Sequence, residues 1–234
     1  MSVFLEISLD STESAIAAER GGAHRVELCS NLSEGGTTPD LHTINETRKN
    51  VDIPVHVMIR PRPGDFVYSD DEFEKMMAQI TSAWKSGVNG AVVGVLTRER
   101  TVDRERMQIL LDHARTMTVT FHRAFDDVED PDRALEELID LGVDRILTSG
   151  QKETAGAGIP LIARLQELAR GRIIVMAGCG INPLNVGTLM RETGVREIHV
   201  GRAVRTSPSH TSVEEGKVRN MLEAIRMTYR HHIH

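Results

Sequence analysis

The chain has 234 residues, a formal net charge of -6, two cysteines and 3% aromatic residues. A single domain of that length buries about 70% of its unfolded surface, so it folds without disulfides or a structural metal. The acidic balance argues against a nucleic-acid groove, which takes a basic stripe, and gives an anionic membrane no electrostatic hold. Scarce aromatics leave an aliphatic core, which suits parallel strands covered on both faces. Cys29 and Cys179 are too few for a disulfide framework, and a reducing cytoplasm is expected. The opening MSVFLEISLD has no signal-peptide pattern. No apolar run reaches the ~20 residues of a bilayer span.

Short β-rich runs then alternate with amphipathic helical stretches. Residues 3–8 read as a strand, followed by a helix over 11–20 that stops at Gly21-Gly22. The second strand is 25–29 and its helix 40–48. The third is 54–59, and the Ser-Asp-Asp at 69–71 caps a helix over 70–86. The fourth strand, 90–96, precedes a helix over 103–115. The fifth, 118–122, precedes 131–141, with Pro131 in the first helical position. Strand 145–148 with helix 160–170, strand 173–177 with helix 183–192, and strand 197–200 with helix 213–230 complete the series. Eight β-α units imply parallel strands joined by right-handed crossovers. They close into an α/β fold of the (β/α)₈ TIM-barrel class, with an open doubly wound sheet as the alternative. The expected organisation is one domain over 1–230 and a short His-rich tail over 231–234. Barrels often pair through exposed helical faces, so a homo-oligomer is anticipated on base rate alone.

In such barrels the chemistry sits at the C-terminal ends of the strands. Side chains alternate in and out, and the phase that turns the polar set inward selects Glu6, Ser8, Glu27, Cys29, His56, Met58, Arg60, Thr120, His122, Thr148 and His199. A carboxylate or imidazole buried there must be paired or functional. Glu and His are also the usual general acids and bases, so Glu27, His122, His199 and Glu6 are candidate catalytic residues. The competing role is a structural brace of Glu–Arg or Glu–His pairs. His56 lies deeper and is expected to be a core histidine.

The loop after the third strand reads Arg60-Pro61-Arg62-Pro63-Gly64-Asp65-Phe66. Its prolines stiffen it, and Arg60 is expected to clamp an anion. Arg62 either joins that clamp or pairs with Asp65. The loops after the seventh and eighth strands carry Gly178, Gly180, Asn182, Gly201 and Arg202, a candidate oxyanion cradle in which Asn182 caps the next helix. Tight βα turns need glycine in any case. Thr148 completes the expected ligand-contacting set. The polar loop 33–39 is a candidate lid. No dinucleotide fingerprint appears, so no nucleotide cofactor is expected, and no C-x-x-C pair or helical His pair marks a metal site. A small anionic ligand in the barrel mouth is the expected partner.

The segments AHRVELC (23–29), SEGGTTP (33–39), IPVHVMIRPRPGDFVYSD (53–70), VTFHRAFD (119–126), RILTSGQ (145–151) and IIVMAGCGI (173–181) together resemble the CutC family, named for copper homeostasis. The resemblance runs to about residue 200 and implies a TIM barrel, a cytoplasmic location and an association with copper. It implies that Glu27, Arg60, His122 and Arg123 occupy central-cavity motif positions, and that Cys29 is a copper ligand, with Cu(I) the possible cofactor. The function it implies is copper binding or handling. The alternative drawn from the strand-end residues is an acid/base enzyme acting on a small phosphorylated or carboxylated metabolite. Pro63 stands where the family pattern has Gly. His199-Val200-Gly201-Arg202-Ala203 departs from the usual His-x-Ser-Ala-Arg, which leaves Arg202 or Arg205 as expected partners of His199.

Overall fold

The computed structural model describes residues 3–207 and 211–230. The expected tail over 231–234 lies outside the described residues. Eight parallel strands close into a barrel in chain order. They are β1 (Phe4–Leu9), β2 (Arg25–Leu28), β3 (Val55–Met58), β4 (Gly90–Val93), β5 (Thr118–Phe121), β6 (Arg145–Thr148), β7 (Ile174–Gly178) and β8 (Glu197–Val200). The intervening helices are α1 (Thr12–Arg20), α2 (Leu41–Asn50), α3 (Asp70–Lys85), α4 (Arg104–Ala114), α5 (Pro131–Asp140), α6 (Ile159–Ala169), α7 (Val186–Thr193) and α8 (Glu215–Arg230). None of the described helices is long and apolar enough to cross a membrane.

Local chemistry explains where the helices begin. Ser11, Asp40, Asp103 and Asp130 each accept a hydrogen bond from a backbone N–H of the first turn. Ser69 and Glu72 close a reciprocal capping box on α3. Two boundaries differ from expectation. The seventh helix starts at Val186 rather than Pro183, because Asn182 accepts from Leu184 N while Asn185 Oδ1 accepts from Asn182 N, and the chain turns first. Asn182 therefore does not cap the helix. The last helix starts two residues late, since Val213 is held in an antiparallel bridge to Arg205.

Period two divides each strand cleanly. Leu5, Ile7, Val26, Leu28, Val55, Val57, Val93, Phe121 and Ile146 are fully buried under the helices. Each such side chain contributes about 1.5–3 kcal/mol by leaving water. The opposite faces fill the barrel with polar groups interrupted by Met58, Val92, Leu147 and Met176. Glu6 stands in register with Arg25 on one side and His199 on the other.

The lower interior is an ion ladder. Arg25 Nε pairs with Glu6, and Arg25 also donates to Glu197 Oε2 at 2.8 Å. Arg145 Nε donates to the same Glu197 oxygen at 2.7 Å, and its Nη1 reaches Thr120 Oγ1 at 3.3 Å. His56 contacts Thr118 Oγ1 through Nε2 at 3.1 Å, as a core histidine would. Burial drives its pKa down to about 3, so it is neutral.

Candidate functional site

Above the ladder the strand ends open into a cavity of about 690 Å³. Ser8, Glu27, Cys29, Arg60, His122, Arg123, Gly180, His199, Gly201 and Arg202 all line it. Glu6 sits behind them, buried.

The floor is built around Glu27. Cys29 donates to Glu27 Oε2 at 3.3 Å, and His199 Nε2 lies 3.8 Å from the same oxygen. His199 Nδ1 bonds to Glu6 Oε1 at 2.7 Å, so Glu6 fixes the ring and leaves Nε2 facing Glu27. The partners of His199 are therefore two carboxylates, and the strand-eight departure is not compensated by Arg202 or Arg205. Glu6, Glu27 and His199 lie close enough together to share a metal ion. Both oxygens of Glu6 are already engaged, however, one by Arg25 and one by His199.

Burial would raise the Glu6 carboxyl, but Arg25 and His199 outweigh it and hold it well below the usual range. Burial raises Glu27; His199 opposes that rise and Glu6 reinforces it. Burial and then Glu27 push the Cys29 thiol well up. His199 is raised, because Glu27 and Glu6 together overcome its burial. The set can hold a proton or a cation between Glu27 and His199.

His122 is the other imidazole of the cavity. Its Nδ1 accepts from Ala124 N at 3.1 Å, which assigns the ring proton to Nε2. Burial and then the Arg60 charge drive its pKa down to about 3, so the ring is neutral. The ring packs on Phe66 with centroids 4.9 Å apart. Both cavity histidines depend on a missing side chain next door. A Cβ on Gly94 would stand 2.4 Å from His122 Cε1, and one on Gly178 would meet Leu147 at 2.6 Å and His199 Cβ at 3.3 Å. Gly178 thus makes room for the site without lining it. Sequence reasoning missed Gly94, although a glycine at the end of an apolar strand run is a signal of close approach.

Several expected ligand contacts have other duties. Arg60 donates to the carbonyls of Glu34, Gly36 and Gly64 at 3.1, 2.9 and 2.7 Å. Its terminal nitrogens tie two loops together, so it is no bidentate clamp; carbonyls left unpaired by the glycine turns take the donors first. This also pins the candidate lid 33–39 at two points. Arg62 lies outside the cavity and bridges Asp65 and Glu72 at 2.8 and 2.6 Å. Thr148 points away and donates to Asp126 at 2.6 Å. Asp126, unforeseen, also accepts from Arg123, Ser149 and Gln151 and locks the β5 and β6 loops. Cys179 donates to the Glu153 carbonyl at 3.0 Å on another wall from Cys29. Arg205, which sequence reasoning placed only as a stand-in for the strand-eight motif, joins the rim.

A family model described as the CutC family matches residues 3–204. The copper homeostasis protein cutC homolog of Homo sapiens is 50% identical over 204 residues, covering 87% of this chain and 75% of that protein. A family protein CutC of Bacteroides thetaiotaomicron is 48% identical over 195 residues, covering 83% and 78%. Among solved structures, a CutC from Streptococcus agalactiae aligns with a TM-score of 0.80 and 34% identity, over 84% of this chain and 97% of that one. A phosphoribosylanthranilate isomerase from Thermotoga maritima shares the fold alone, with a TM-score of 0.65 and 13% identity over 96% and 99% of the two chains.

Proposed function

The chain belongs to the CutC family, and we propose that it serves copper homeostasis by holding copper on the Cys29 side of the barrel mouth. The names of its relatives support the copper homeostasis role and not the acid/base enzyme. The observation that carries it is the convergence of Cys29 Sγ and His199 Nε2 on one oxygen of Glu27, at 3.3 and 3.8 Å. Copper(I) prefers sulfur and accepts imidazole. An ion that displaces the thiol proton meets sulfur and the Glu27 oxygen first. The donors that lie within 4.8 Å of one another are those of Glu6, Glu27 and His199, so sulfur and imidazole come together on one ion by a side-chain shift. Met58 shares a small buried cluster with Cys29 and brings a thioether to the same wall.

Glu6 acts from behind. Its bond to His199 Nδ1 fixes the tautomer and raises the basicity of Nε2, as carboxylates behind metal-binding histidines do. Arg25 keeps Glu6 ionised for that task. We place the protein in the cytoplasm, where thiols such as Cys29 and Cys179 stay reduced.

A competition titration with Cu(I) on reduced protein tests the proposal. Tight, stoichiometric binding is expected, weakened by Cys29→Ser and by His199→Gln and unchanged in Cys179→Ser. Weak binding, or tight binding that survives Cys29→Ser, overturns it.

A further inference from the structure

The Arg60 guanidinium is a buried cation, only 5% exposed. It spends its terminal N–H groups on neutral carbonyls. No carboxylate of the described residues lies within ion-pair distance of it, in contrast to Arg25 and Arg145. A buried charge without a counter-ion is strongly unfavourable. Beside it stands His122, 3% exposed, whose Nε2 finds no hydrogen-bond partner. Because Nδ1 already accepts from Ala124 N, that orphan atom is a donor and never an acceptor. Across the floor, Glu27 Oε1 is also buried and without a donor. The structure thus holds an uncompensated positive charge, a bare N–H donor and a bare carboxyl oxygen around one cavity.

We propose that the cavity binds a small hydroxycarboxylate, its carboxylate accepting from His122 Nε2–H in the field of Arg60 and its hydroxyl bonding to Glu27 Oε1. Phe66, packed at a tilt against His122 and beneath the Arg60 guanidinium, lines the cavity and gives the ligand's carbon skeleton an apolar wall. A monoanion fits better than a phosphate dianion. At the deep end the donors without partners are His122 Nε2 and Arg60 Nε, enough for one carboxylate, and the floor beside them already carries Glu27 and Glu6. This inference shares Glu27 with the copper reading but does not rest on it, since neither Arg60 nor His122 belongs to the proposed copper ligands and the test uses copper-free protein.

The test is isothermal titration of the copper-free full-length chain with glycolate, lactate and glycerate, against glycerol and inorganic phosphate. At least one hydroxycarboxylate is expected to bind, with glycerol and phosphate at least about tenfold weaker, the size of one charged hydrogen bond. His122→Asn keeps an oxygen acceptor for the Ala124 N–H, but its shorter amide does not reach the Nε2 position with its own N–H, and a further loss of about tenfold is expected. Wild-type protein with ¹⁵N-labelled histidine gives an independent reading: the His122 Nε2–H signal is expected to shift on ligand addition. Absence of binding by all three acids overturns the proposal. So does phosphate binding as tightly, or a His122 signal that stays in place on saturation.

Discussion

The two polar layers of the barrel interior use the same residue types and reach opposite states. In the lower layer Glu6, Arg25, Glu197 and Arg145 satisfy one another across β1, β2, β6 and β8. In the upper layer Glu27 Oε1 and His122 Nε2 are buried without partners, and Arg60 has no counter-ion. Glu6 belongs to both, paired below with Arg25 and above with His199. Burial of charge alone therefore does not mark a site. The mark is burial with unspent hydrogen-bonding capacity facing a cavity, because closed networks stabilise and open ones are free to take a ligand.

Breaking the lower layer should have the largest effect. Arg25→Met leaves Glu6 and Glu197 short of a buried cation, and a loss of about 3–5 kcal/mol is expected in urea unfolding. A change near zero would mean that the ladder contributes nothing net. Gly94→Ala tests the upper layer by crowding the His122 ring, whose Cε1 would lie 2.4 Å from the new Cβ. Overpacking of this kind costs about 1–3 kcal/mol and should also weaken hydroxycarboxylate binding. Wild-type stability with unaltered binding would show that the ring has room to move.

One histidine in each layer supplies a pH test. His56 and His122 stay neutral in the fold down to about 3, against an ordinary value of 6.5. Between those limits the unfolded chain binds more protons. Their stabilisation is therefore complete above pH 6.5 and declines as pH falls, by about 1.4 kcal/mol per pH unit for each ring. Imidazole NMR titration would refute this if either ring charges near neutrality in the folded protein. The smallest effect has the opposite sign. Burial raises Glu27, so the folded state holds its proton more tightly than the unfolded chain, and that stabilisation is lost as pH rises. At neutral pH Glu27→Gln should accordingly raise stability by about 0.5–2 kcal/mol while weakening copper binding. A destabilised variant would place Glu27 with the structural layer instead.

Much of this was legible in the chain. Glu6, Glu27, Cys29, His122 and His199 follow from period-two alternation at strand ends, and all line the cavity or stand directly behind it. The roles of Arg60 and Thr148 were not legible, whereas Arg62 took the second of its two expected roles, pairing with Asp65, and added Glu72. Arg60 and Arg62 do lie in the loop that sequence marks, but their donors go to Glu34 and Gly36, or to Glu72, which only folding brings near.

Eight strand–helix alternations, capped helices and an aliphatic outer face are local facts, and local chemistry suffices to dictate the barrel and which residues point inward. Which inward charges cancel and which stay open was decided only when the barrel closed. Arg25 meets Glu197 across 172 positions of chain, and His199 meets Glu6 across 193. A hydrogen bond depends on placement within a fraction of an ångström, and no periodicity along the chain carries that information.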